Sequence, residues 1–159
     1  MYDIALVRVD NRLVHGQILE AWVPFVEARC IMVVDDNSAS DFFCETVIRM
    51  AVPSDIEVNI CSVEDFAANY TYARGSGKKT IVLFSNITDA LRAYEQGFHF
   101  ETLNIGNLHY GPEKMQILPH VALSAEDRED LRSIQQHLVL LDFRSVPTET
   151  VRGPHEQLI

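Results

Sequence analysis

Cys30-Ile31-Met32-Val33-Val34 is an unbroken apolar run, stopped at once by Asp35-Asp36-Asn37. A strand with one wet face alternates polar and apolar residues; this one does not, so both of its faces are expected to be buried, as in a parallel sheet covered by helices on each side. Working outward, further short strands are read at Ile4-Ala5-Leu6-Val7, Ile56-Glu57-Val58-Asn59-Ile60, Thr80-Ile81-Val82-Leu83-Phe84, Thr102-Leu103-Asn104-Ile105 and from Val139 to Phe143. Between them apolar residues return at helical spacing.

The helical faces are Ile18, Ala21, Trp22 and Phe25; Phe43, Val47 and Met50; Val63, Phe66, Ala67 and Tyr70; Ile87, Ala90, Leu91 and Tyr94; and Leu131, Ile134 and Leu138. Pro24 removes a backbone donor and should kink or end the first helix. Ser40 or Asp41 can cap the second, and Gly97 can close the fourth. Ser124-Ala125-Glu126-Asp127 has the form of a capping box for the last. This alternation predicts an α/β fold: a three-layer α/β/α arrangement with an open, mostly parallel sheet of about six strands joined by right-handed crossover helices. One domain over residues 1–159 is expected, since the only plausible flexible connector, Arg74 to Lys79, is too short to separate domains. The irregular stretch Tyr110 to Pro119, with Gly111 and Pro112, is where a protruding hairpin or contact element fits most easily.

Composition narrows the partners. A formal net charge of −10 argues against nucleic acid, whose phosphates must be neutralised by Lys and Arg. No stretch is apolar for long enough to span a bilayer and the N-terminus lacks a signal-peptide pattern, so a cytoplasmic location is expected. Cys30, Cys44 and Cys61 are odd in number and widely spaced, with apolar neighbours, which favours core packing over a disulfide framework or a zinc site.

In open parallel sheets ligands bind at the carboxyl ends of the strands. At the end of the first strand stands Val9-Asp10-Asn11-Arg12-Leu13-Val14-His15-Gly16-Gln17. A neutral imidazole has one nitrogen with a free lone pair, able to attack phosphorus. Asp10 can accept from the ring or from the loop amides and so fix tautomer and orientation, and Arg12 offers a permanent cation that disfavours the imidazolium and then offsets the charge of a bound phosphoryl group. Gly16 allows close approach, and Gln17 opens a helix whose free amides favour an anion. No Ser, Thr or Cys nucleophile stands beside His15 for it to activate, which disfavours a hydrolase triad.

The composite word Arg8 to Gln17 closely resembles the active-site loop of the IIB subunits of the mannose/fructose/sorbose class of the bacterial phosphoenolpyruvate-dependent sugar phosphotransferase system (PTS). The likeness extends to Trp22, Ile31 to Asp36, Ala51-Val52-Pro53, Leu83-Phe84, Leu103-Asn104-Ile105-Gly106 and Val146-Pro147. It implies that His15 takes a phosphoryl group from the phosphohistidine of a IIA protein, held on Nδ1. It further implies transfer to a sugar entering through a IIC/IID permease, with Arg12 and Asp10 as stabilising and orienting partners. No metal and no organic cofactor are expected, and contact with the membrane is expected through the permease only.

Ser85 and Asn86, after the fourth strand, could line the phosphate pocket or cap the next helix; Gly106 and Asn107, after the fifth, are open in the same way. Relatives often carry two glycines at the latter place, so Asn107 is a departure. His109 is a weaker neighbour of the site. His99, His120, His137 and His155 show no metal-ligand spacing, Asp35-Asp36 reads as a solvated loop that caps the next helix, and Lys78-Lys79 as a solvated turn. Two further functions stay open: a regulatory phosphohistidine protein uncoupled from sugar, and a non-catalytic α/β module that binds a phosphorylated metabolite.

Overall fold

The computed structural model describes residues 2–70 and 77–150. Its strands are β1 (Tyr2–Val9), β2 (Cys30–Val34), β3 (Glu57–Cys61), β4 (Lys78–Phe84), β5 (Thr102–Ile105), β6 (Met115–Leu118), β7 (Val121–Leu123) and β8 (Leu140–Asp142). Its α-helices are α1 (Val23–Val26), α2 (Asp36–Ser40), α3 (Phe42–Ala51), α4 (Val63–Asn69), α5 (Ile87–Glu95) and α6 (Ala125–Gln136). Six strands make one sheet in the order β3-β2-β4-β1-β5-β8, every pair parallel, while β6 and β7 form a separate antiparallel pair. The expected α/β class and strand number hold, and the hairpin falls at the end of the stretch that the sequence left irregular.

Alternation along the strands divides the core into two layers. Val7, Val9, Val82, Phe84, Leu103 and Ile105 join Val63, Phe66, Ile87, Ala90, Leu131 and Ile134, so α4, α5 and α6 cover that side. Ile31, Val33, Ile81 and Leu83 join Leu13, Ile18, Trp22 and Val52 on the other. The chain crosses the sheet one way from β1 through β2 to β3, and returns through β4 and β5 to β8. Right-handed crossovers therefore put the two sets of connections on opposite faces. Central β1 lies between β4 and β5 but sends its connection to the opposite face from theirs. The crevice this opens at the carboxyl ends is where such sheets hold ligands.

Several local expectations are corrected. The helix after β1 begins as a π-helical turn, Gln17–Trp22, in which the Val23 N–H reaches back to the Ile18 carbonyl. It becomes α-helical only at α1, with Pro24 in its first turn, where a missing N–H costs little. Asp35 is buried, not solvated: it caps the unforeseen short helix α2 by accepting from the Ser38 amide at 2.9 Å. Lys78 and Lys79 belong to β4, where Lys78 pairs with Glu57 and Lys79 with Glu27. Leu138 lies beyond the end of α6 and is exposed, although the capping box of Ser124 and Asp127 forms as read. The Arg74-Lys79 connector and His155 fall wholly or partly outside the described residues.

The largest departure is α3. Asp41 caps it as anticipated, accepting from the Phe43 amide at 2.9 Å, yet Phe43, Val47 and Met50 face outward and are joined there by exposed Phe42. Spacing shows that these residues share a face, not which way the face turns. The helix lies beside edge strand β3, where Ile48 and Val52 touch the core and the Arg49 guanidinium bonds the Val58 carbonyl at 3.0 Å. Cys44 is only half-buried on this helix, Cys61 likewise on β3, and Cys30 alone of the three is fully buried; all are free thiols.

Urea denaturation should separate the two kinds of apolar residue. Ile81→Ala, in a fully buried central position, is expected to cost about 2–5 kcal/mol, whereas Phe43→Ser should stay within about 0.5 kcal/mol. Equal losses would contradict the placement of α3.

Candidate functional site

Arg8 is a cation set in the apolar part of β1, residues 4–9, and directed to the same side of the strand as Trp22. It is wholly buried, so its donors must be met inside the protein. The register pairs Arg8 with Asn104, whose Oδ1 accepts from Nη1 at 2.7 Å. Nη1 also donates to the Ser145 carbonyl at 3.0 Å, and Nη2 to Gln17 Oε1 at 3.3 Å. The guanidinium carbon sits 5.5 Å from the centre of the Trp22 ring. It also lies so close to the Gly106 backbone that a Cβ there would fall 2.2 Å from it. Gly106 is required to be glycine by a neighbouring side chain.

Two residues on, Asp10 is equally buried. Its Oδ2 accepts from Arg8 Nη2 at 2.9 Å, Asn107 Nδ2 at 2.8 Å and His15 Nε2 at 2.7 Å; Oδ1 accepts from the Arg12 amide at 3.0 Å. Burial alone pushes this carboxyl upward and is the strongest single influence. The bonds from His15 and Asn107, the charge of Arg8 and the Arg12 amide together outweigh it and bring the pKa down to about 2. Asp10 is therefore ionised and can only accept.

The backbone turns sharply to bring His15 back onto this carboxylate. Leu13 adopts φ +53°, a region unfavourable for a branched residue, and donates its N–H to the Asp10 carbonyl at 3.0 Å. Its side chain is buried with Ile18 and Trp22, which offsets the strain. Because Asp10 has no proton to give, the proton in the 2.7 Å contact belongs to His15 Nε2. Nδ1 is left as the outward nitrogen, approached among the described residues only by the Gln17 amide at 3.4 Å, a long and weak contact. The His15 side chain is 12% exposed. Gly16 has ordinary helical dihedrals, and a Cβ on it would meet nothing within 4 Å, so its lack of a side chain leaves open space next to the ring.

His15, Asp10, Gln17, Gly106 and Asn107 thus come together in one network. Gln17 and Asn107 are engaged inside it: Asn107 Nδ2 bridges Asp10 Oδ2 and Gln17 Oε1, the latter at 3.0 Å. Arg12 joins through its backbone only. Its guanidinium is exposed and lines a groove of about 290 Å³ with Asn107, His109, Tyr110 and His120. Ser85 and Asn86 are held elsewhere: Ser85 Oγ donates to Asp35 at 2.7 Å, and Asn86 caps α5 by accepting from the Asp89 amide at 2.8 Å. The Ser85 carbonyl still steadies the loop by accepting from Asn11 at 3.2 Å. Among the described residues no group of three or more His, Cys, Asp and Glu is placed to hold a metal.

Sequence reading gave Arg8 and Asn104 no role. The signal was present: a lone cation and a lone amide inside two apolar strands must each be paired. Which strand would supply the partner is a property of the sheet order.

Fold and site together define a class: an open parallel α/β protein that presents a carboxylate-bound histidine at its topological switch point. Residues 4–159 match the family described as the PTS system sorbose subfamily IIB component, and the chain belongs to it. The sorbose-specific EIIB component of Klebsiella pneumoniae is 33% identical over 92% of this chain and 90% of its own length. The crystal structure of the IIB domain of the Klebsiella pneumoniae sorbose permease superposes with a TM-score of 0.87 at 32% identity, covering 95% of this chain and 93% of that one. The mannose-specific EIIAB component of Escherichia coli K12 is 27% identical over 92% of this chain and 45% of its own length. The protein is a phosphocarrier of sugar uptake and, as a IIB component, a phosphotransferase. Among the described residues no helix is long and apolar enough to cross a membrane.

Asp10 makes a prediction about acid stability. A carboxyl whose folded pKa is about 2, below its ordinary value of 3.8, contributes stability that is complete above pH ~4 and is lost as the pH falls towards 2. The amount is on the order of 2 kcal/mol. Urea unfolding from pH 5 to pH 2 should show a shallower acid slope for Asp10→Asn than for the unchanged protein; identical slopes would contradict the assignment.

Proposed function

We propose that His15 is the phosphoryl acceptor and that the phosphoryl group is carried on Nδ1. The observation that carries this reading is the 2.7 Å contact between Nε2 and ionised Asp10, which leaves the lone pair on Nδ1 facing the open side of the loop. Transfer breaks the bond from phosphorus to a donor nitrogen as a bond to Nδ1 forms, while Nε2 keeps its hydrogen and its carboxylate partner throughout. Transfer onward breaks the Nδ1 bond as one to a sugar oxygen forms, and the hydroxyl proton departs at the acceptor. Such transfers need alignment and charge stabilisation more than covalent assistance.

The exposed Arg12 is the cation available to the equatorial phosphoryl oxygens, and the groove it lines with His109, Tyr110 and His120 is the entry for a partner. Gly106 and Asn107 support the loop behind the ring, and Gln17 presents its backbone amide towards the Nδ1 side. Ser85 acts indirectly through Asn11, and Asn86 serves as the cap of α5. IIB components of this family work with IIA proteins and with IIC/IID-type permeases, and the Escherichia coli relative carries both letters, A and B, in its name. For this chain the donor is a phosphorylated IIA protein and the last acceptor a sugar entering through a IIC/IID permease. It works in the cytoplasm and meets the membrane through that permease.

Incubation with phosphoenolpyruvate, the general phosphotransferase proteins and a IIA donor, followed by mass spectrometry, tests the reading. The unchanged protein should gain one acid-labile, base-stable phosphate, and His15→Ala none. Arg12→Ala should accept it roughly ten- to a hundredfold more slowly, as loss of one charge-stabilising group does. Its folding stability should stay within about 0.5 kcal/mol. A phosphorylated His15→Ala protein would remove His15 from this role.

A further inference from the structure

Asp10 presents a difficulty for any nucleophilic role of His15. A buried carboxylate 2.7 Å from an imidazole favours the imidazolium, in which both nitrogens carry hydrogen and neither can attack. The contact that orients the ring would by itself disarm it.

The geometry points to Arg8 as the group that resolves this: by cancelling the charge of Asp10, it lets the carboxylate hold the His15 ring in place without drawing a second proton onto it. Both partners share one oxygen, Asp10 Oδ2, with Arg8 Nη2 at 2.9 Å and His15 Nε2 at 2.7 Å. Every other acceptor of the Arg8 guanidinium among the described residues is neutral: Asn104, Gln17 and the carbonyls of Arg144 and Ser145. Asp10 is thus the carboxylate that the Arg8 guanidinium touches, with Asp142 acting on it only at longer range, and the Arg8–Asp10 pair presents the ring with a dipole in place of a net negative charge. Both side chains have 0% exposure, so neither charge is blunted by water.

The remaining charges near the pair do not supply the same effect. Arg12, on the loop itself, is exposed and therefore screened, and it contributes only a backbone amide to Asp10. Arg144, at the end of β8, is 5.6 Å from the Trp22 ring and is engaged by Asp142 through Nε and Nη2. Glu20, on the π-helical turn, is exposed, and Asn107 and Gln17 are uncharged. The position of Arg8 is itself built: Gly106 leaves the space, Asn104 fixes one terminal nitrogen and Trp22 lies within cation–π distance. Arg8 is thus a positioning residue that acts through Asp10, and Arg12 is left to meet the phosphoryl group. This deepens the proposal that His15 accepts the phosphoryl group and rests on it for its functional meaning.

The test follows the His15 ring nitrogens by ¹⁵N NMR across pH 5–9.5 in the unphosphorylated protein, with amide spectra checking the fold. In Arg8→Met the imidazolium should persist to a pH higher by about one unit or more, the size of effect that one uncancelled close charge exerts. In Asp10→Asn it should vanish at a lower pH than in the unchanged protein. Arg8→Lys and the double variant Arg8→Met/Asp10→Asn should return the curve close to its original place. With a phospho-IIA donor, Arg8→Met should be slowed on the order of tenfold at pH 7 and recover towards the unchanged rate at pH 9.

A folded Arg8→Met protein with an unmoved His15 titration would overturn the inference, as would a shift that persists in the double variant. Should Arg8→Met not fold, the downward shift in Asp10→Asn, reversed by the double variant, decides the matter alone. The NMR measurement needs no donor. Shifts as expected in a protein that never gains phosphate would refute His15 as acceptor and leave the charge cancellation standing; phosphorylation without the shifts would do the reverse.

Discussion

The buried carboxylate of Asp10 is the constraint from which the site is built. It gathers a guanidinium from its own strand, an amide from the loop after β5, a backbone N–H from its own loop and the imidazole of His15. A charge placed where water cannot reach it is stable only when its neighbours supply the solvation, and here they do so with atoms from two stretches of chain, residues 8–15 and the loop after β5. Removing any one of them leaves the others with an unmet group, which is why the loop has one well-defined geometry despite lying at the surface. The order in the ring of His15 is inherited from the order around Asp10.

This arrangement depends on the sheet as a whole. Arg8 meets Asn104 only because β1 and β5 are neighbours in register, and Asn107 reaches Asp10 because the loop after β5 emerges beside the loop after β1. The connection from β1 departs across one face while those from β4 and β5 cover the other, so the central strand ends in an open crevice and not under a helix. A phosphoryl group must pass between two proteins at this point, and the topology keeps it uncovered. The supporting network lies beneath, dry and fixed, with the exposed Arg12 and Gly16 above it.

Much of this was legible in the chain. Continuous apolar runs such as Ile31 to Val34 declare a strand buried on both faces, and the Ser124 to Asp127 box and the Asp41 cap are local hydrogen-bonding devices readable from a few residues. The errors share one cause. The spacing of Phe43, Val47 and Met50 shows a helical face without saying that the helix lies at the edge of the sheet, and Asp35 looks solvated until its neighbours Ser38 and Ser85 are in place. Ser85 and Asn86 stand at a strand end, as a phosphate-binding residue would, yet their side chains turn to Asp35 and Asp89.

By itself the sequence determined the fold class and the loop that carries His15, and offered Asp10 as a partner for either the ring or the loop amides, because periodicity, capping and short-range spacing are properties of consecutive residues. Only the tertiary structure decided that the cation behind Asp10 is Arg8 and not Arg12, that Gly106 is glycine to make room for a side chain almost a hundred positions earlier, and that Asn107 and Gln17 belong to the support beneath the ring. Those are contacts between strands and loops brought side by side by crossovers, and what selects them is the cost of leaving a buried charge or amide unpaired. No window of neighbouring residues contains that information.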